Sequence, residues 1–129
     1  MLSSTPTTCV PEPSPRAGSE LSTSAAGLVT SSSATLNGTG TPNFAATTGY
    51  FRYATTSPGT CNDTFGSRAP LSGGTSLGSS YSAVSFSEYV SGLSPGTTYY
   101  YCAIASNSVG TQFGGVGSFI APLPPTVAP

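Results

Sequence analysis

Leu93-Ser94-Pro95-Gly96-Thr97-Thr98-Tyr99-Tyr100-Tyr101-Cys102-Ala103-Ile104-Ala105-Ser106-Asn107 is the stretch whose reading decides the fold. Pro95 and Gly96 make a turn, because proline presets its own φ and glycine admits positive φ. The run that follows is rich in aromatic and small apolar residues, strand-length, and of types that favour extended backbone over helix. Tyr99, Tyr101, Ala103 and Ala105 share one parity, and Tyr100, Cys102, Ile104 and Ser106 the other. Both faces are apolar enough to predict a central strand covered on both sides.

Outward from this strand the β pattern continues in both directions. Gly27-Leu28-Val29-Thr30 reads as a short first strand and Ser33–Thr39 as a second, with Ala34, Leu36 and Gly38 on one face. Gly40 to Thr48, containing Pro42-Asn43, reads as a loop. Gly49–Thr55 is a third strand with Phe51 and Tyr53 inward and Arg52 outward. Ser57 to Tyr81 is a long irregular connection with room for one short edge strand. Ser82–Val90 places Val84, Phe86 and Val90 in phase, and Glu88 falls in that same phase; a rim position or a parity-flipping bulge would account for it. Asn107-Ser108-Val109-Gly110 is a hairpin turn, and Thr111–Ala121 closes the sheet with Phe113 and Phe119 on one face. Six or seven short strands with no helical period predict an all-β, antiparallel two-sheet sandwich.

The flanks have a different composition. Residues 1–25 carry Pro6, Pro11, Pro13 and Pro15 among Ser, Thr and Gly, and read as an extended arm or linker. Residues 122–129 are again proline-rich, leaving 26–121 as the domain.

Charge excludes several functions. Only 5% of the 129 residues are charged, against about 25% in an ordinary soluble domain. Lysine and histidine are absent, and Ser and Thr make up about a third of the chain. Three scattered arginines cannot neutralise a phosphate backbone, so nucleic acid is not an expected partner. No apolar run approaches the ~20 residues of a membrane-spanning helix, so no membrane insertion is expected. Without histidine there is no Ser/His or Cys/His pair, and the carboxylates Glu12, Glu20, Asp63 and Glu88 are scattered, so no enzyme is predicted. Three cysteines without histidine cannot close a zinc site from these segments, and Ser72–Gly78 lacks the lysine of a phosphate loop; neither metal nor cofactor is expected.

Leu93-x-Pro95-Gly96-Thr97-x-Tyr99, with the alternation into Asn107, resembles the corner and following strand of fibronectin type III domains of bacterial extracellular proteins. Ser33–Thr39 and Gly49–Tyr53 resemble two further strands of that family, over a region of about Ala26 to Ala121. The resemblance implies a corner pinned by the Tyr99 hydroxyl on backbone just upstream. Many members carry a tryptophan near the position of Leu36; this chain has none, so Phe51, Tyr53, Phe86 and Tyr99 are expected to fill the core.

Among Cys9, Cys61 and Cys102 three pairings are possible. In the topology the resemblance implies, the end of the third strand lies near Cys102, which favours a Cys61–Cys102 bond, with free thiols as the alternative. Cys9 is then left as an intermolecular thiol or one without a role. Asn37-Gly38-Thr39 and Asn62-Asp63-Thr64 are glycosylation sequons, Asn62 the better placed in a loop. Tyr50, Arg52, Tyr100 and Ile104 are expected to form an exposed contact patch on the outer sheet face.

These features together predict an extracellular or cell-surface module without catalysis. The first expectation is a structural, adhesive unit of a surface fibre or tandem array, associating with itself through the arm or with neighbouring domains. The alternative is a carbohydrate- or protein-binding accessory module, with Tyr50, Tyr81, Tyr89 or Tyr100 as stacking platforms for a glycan.

Overall fold

In the computed structural model the described residues are 20–125, so Cys9 and most of the expected arm lie outside them. Eight strands follow in order: β1 (Glu20–Gly27), β2 (Ser33–Thr41), β3 (Thr47–Ala54), β4 (Ser67–Ala69), β5 (Thr75–Gly78), β6 (Val84–Ser91), β7 (Thr97–Ser106) and β8 (Thr111–Ala121). They form two antiparallel sheets. One has the order β1-β2-β6; the other has β4-β3-β7-β8, with β5 also paired to β3. The architecture is the expected all-β two-sheet sandwich, and the described residues contain no helix.

The tyrosine run is central, as its two apolar faces predict. β7 lies between β3 and β8. Tyr99, Tyr101 and Ala103 face the other sheet and join Ala34, Leu36, Phe51, Phe86 and Val90 in the core. Tyr99 stacks on Phe119 at 5.5 Å and Phe51 meets Phe86 at 5.0 Å, so offset aromatic pairs fill the interior in place of a tryptophan. Room for the Phe86 ring comes from glycine: a Cβ at Gly49 would stand 2.8 Å from it. The corner closes as expected, with the Ser94 amide donating to the Tyr99 hydroxyl at 2.7 Å.

Three strand expectations change. The first strand is Glu20–Gly27, not Gly27–Thr30, so the arm boundary at residue 25 falls inside a strand. Its hydroxyl-rich residues look like linker, yet they pair with β2 from Glu20↔Thr41 onwards. Leu28 instead sits at φ 48 in the following turn. The 57–81 connection holds two edge strands rather than one. β4 pairs with the end of β3 and β5 with its beginning, and Pro70, lacking an N–H, interrupts the ladder between them. Phe113 and Phe119 do not share a face. The β7–β8 register shifts between Cys102 and Ile104, so Phe113 opposes Ile104 while Phe119 opposes Tyr99.

Glu88 does point inward. The β2–β6 register runs unbroken through Leu36↔Glu88, and Glu88 is half-buried at the edge of its sheet. No bulge flips it. An inward charge on an edge strand discourages a further strand from adding there.

Candidate functional site

The outer face of the five-stranded sheet is the first place to look, since β3 and β7 align Tyr50 with Ile104 and Arg52 with Cys102 there. The expected open patch is not found. Ile104 is fully buried and Tyr50 is 6% exposed. The cause is the Cys61–Cys102 disulfide, with a Cα–Cα distance of 5.9 Å, which draws the 57–66 segment across the face. Phe65 and Val116 complete a small second core with Tyr50, Ile104 and the two cysteines. Tyr100 stays half-buried at the margin, opposite Ala54.

The charges over this second core satisfy one another. Asp63 accepts the Tyr50 hydroxyl at 2.6 Å and Arg52 Nε at 2.7 Å. Arg52 also donates to the Phe65 carbonyl at 3.1 Å. The Arg68 guanidinium lies 3.7 Å above the Tyr50 ring and donates to the Pro70 and Gly73 carbonyls, both at 2.8 Å. Burial, with the Asp63 carboxylate beside it, pushes the Tyr50 phenol up to about 12. Burial opposes the charge on Asp63, but the hydrogen bonds from Tyr50 and Arg52 outweigh it and hold the carboxyl below its ordinary range. With each group engaged, this arrangement braces the loop; it does not present a site.

The remaining expected residues are dispersed. Asn37 is tied into β2, donating to the Ala25 carbonyl at 2.9 Å and accepting Ser87 Oγ at 2.7 Å. Asn62 sits in the surface loop, where Thr64 N and Oγ1 both donate to its Oδ1. Tyr89 is exposed on the three-stranded sheet. Among the described residues no three of His, Cys, Asp and Glu gather to hold a metal ion, and no helix is long and apolar enough to cross a membrane.

The sandwich end where β2 passes to β3, β5 to β6 and β7 to β8 holds an arrangement the sequence reading missed. Phe44, from the 42–46 loop, and Tyr81, from the 79–83 loop, stack with centroids 5.1 Å apart and planes 3° apart. They remain 72% and 57% exposed. Val109, on the 107–110 turn of the same end, is exposed as well. The three loops are tied together. Phe44 N donates to the Ser80 carbonyl at 3.2 Å, and Asn107 Nδ2 to Thr47 Oγ1 at 3.2 Å and the Pro42 carbonyl at 3.4 Å. Asn43 and Phe44 both adopt left-handed backbone, φ 55 and 68, a conformation that costs a bulky side chain of order 1–3 kcal/mol. Charged residues are absent from all three loops. Tyr81 was among the expected stacking residues. The signal for Phe44 was a large aromatic beside the Pro42-Asn43 turn, outside any strand.

Neither the family models nor the curated proteins compared with this chain match it. Solved structures do. A longer form of the sensor domain of the anti-sigma factor RsgI4 from Pseudobacteroides cellulosolvens is 17% identical with a TM-score of 0.53, over 86% of this chain and 96% of that one. A shorter form of the same domain is 16% identical, also at 0.53, over 83% and 97%. Its solution structure again gives 0.53, at 16% identity over 81% of this chain and 75% of that one. At such identities the likeness is one of fold. It corrects the expectation of a structural, adhesive fibre or array module: the architecture is one used by sensor domains, and the outer face expected to make contacts is covered by its own disulfide-bound loop.

Proposed function

We propose that this chain is a non-catalytic, extracellular recognition domain of the signal-sensing kind, and that the end bearing Phe44, Tyr81 and Val109 is its recognition surface. The observation that carries this is the exposed Phe44–Tyr81 stack, held on strained backbone by loops from three crossings. Loops set on a rigid sheet are where folds of this class place binding, because the loops vary while the sheets hold position. The likeness to sensor domains supports the sensing role; fold alone does not assign function, so the side chains bear the weight.

A fibronectin type III assignment is supported by the order β1-β2-β6 against β4-β3-β7-β8 and by the Ser94–Tyr99 bond. The Cys61–Cys102 bond favours an oxidising compartment. Amide chemical shifts of the isolated domain, followed against a panel of neutral and uronic oligosaccharides, short peptides and amino acids, test the reading. Responses gathered in 42–46, 79–83 and 107–110 are expected. Responses confined elsewhere, for example to the cleft that Thr23 and Ser24 of β1 form with Gly115 and Val116 of β8, would overturn it.

A further inference from the structure

We infer that the ligand recognised at this end is a neutral saccharide, whose pyranose C–H face lies on an outward face of the Phe44–Tyr81 stack; the inference rests on the recognition surface proposed above. Three observations lead to it. The first is charge. The loops 42–46, 79–83 and 107–110 hold no acidic or basic side chain, so a charged ligand would lose water here without gaining a counter-ion. The second is the rim. Ser79, Ser80 and Ser82 flank Tyr81 in the chain and Ser108 stands on the neighbouring turn, all exposed and uncharged, which suits hydroxyl groups at the edge of a flat apolar ring.

The third is geometry. The two rings are parallel to within 3° and stacked with centroids 5.1 Å apart, so the pair offers flat outward faces and not a cage, which removes the walls a quaternary ammonium ligand would need. A saccharide ring has an apolar face and a hydroxyl rim, and the electron-rich face of an aromatic ring complements its C–H bonds. The platform is already assembled: the stack, the Phe44–Ser80 bond and the left-handed backbone at Asn43 and Phe44 fix the rings before anything binds. Little ordering entropy is then lost on association.

The test is titration of the intact domain with neutral hexasaccharides of glucose, xylose and mannose, with an oligogalacturonate of equal length as the charged comparison. At least one neutral hexasaccharide should shift the 42–46, 79–83 and 107–110 amides and quench tyrosine fluorescence, with the oligogalacturonate about tenfold weaker or more. Tyr81→Ala should weaken binding by about tenfold or more, whereas Tyr89→Ala, on the opposite sheet, should leave it unchanged. Phe44→Gly suits the left-handed backbone and keeps the loop folded, and should weaken binding like Tyr81→Ala. Equal binding of the charged sugar, equal loss in Tyr89→Ala, or no response to any neutral sugar would refute the saccharide. If peptides alone move the loop-end amides, the saccharide fails and the recognition surface stands; if nothing in the wider panel moves them, both fail.

Discussion

Thr23 Oγ1 accepts the Ala103 amide at 3.0 Å, joining the two sheets at the point where the β7–β8 register slips. Ala103 has no partner in β8, because the shift falls between Cys102 and Ile104. Two residues earlier on β7, Tyr101 donates its hydroxyl to the Ser24 carbonyl at 2.6 Å. A hydroxyl-rich strand of linker-like composition thus closes the sandwich through one side-chain hydroxyl and one backbone carbonyl.

Thr23→Val keeps the shape and removes the acceptor. The orphaned amide should cost about 1–3 kcal/mol, read as an earlier urea midpoint with unchanged m-value. Thr23→Ser should recover most of it. Equal loss in both variants would place the effect in packing rather than in the hydrogen bond.

Replacing both Cys61 and Cys102 by alanine removes a cross-link between residues 41 apart in the chain. The chain-entropy model sets the loss at about 4 kcal/mol, with measured values commonly lower. Hydrogen exchange should show protection lost first in 57–66, while β7 amides stay slow. Unchanged protection in that segment would mean that the Asp63 contacts hold it without the disulfide.

Acid and alkali should loosen the same brace by opposite routes. The Asp63 carboxyl is held below its ordinary range, so its contribution is complete above about pH 4, the unfolded value, and fades as pH falls through the folded one. The Tyr50 phenol is raised to about 12, so its contribution is complete below about pH 10 and fades between there and 12 as the unfolded chain gives up its proton first. Asp63→Asn should flatten the acid limb of a stability-against-pH curve, and Tyr50→Phe the alkaline one. An acid limb surviving in Asp63→Asn would place the effect outside this brace.

Glu88→Val should make the β6 edge adhesive. Glu88 faces Leu36 on the inner side of the sheet, between Phe86 and Val90. Valine there removes a buried-side charge and with it the penalty for adding another strand. Sedimentation velocity should show a larger share of dimers or higher species than the parent chain gives at equal concentration. An unaltered size distribution at high concentration would show that the edge is protected by something else.

Period-two alternation is a local property, and what depends on it was legible. Leu93–Asn107 on its own specified a turn, a central strand and the faces of Tyr99 and Tyr100; the family resemblance added the hydroxyl lock at Ser94. Lack of charge, read directly from the residues, also set the expectation of a module without catalysis. Three outcomes needed the tertiary structure. Whether Tyr50 and Ile104 would lie open depended on a loop brought over them by a cysteine 41 residues away in the chain. Whether Ser22–Ser24 would be strand or linker depended on a neighbouring edge and on an orphan amide in the other sheet. Phe44 and Tyr81, 37 positions apart, could meet only once β2, β3, β5 and β6 had set their loops at one end. Alternation encodes which side of its own strand a residue faces; what covers that side is supplied by chain far away in sequence.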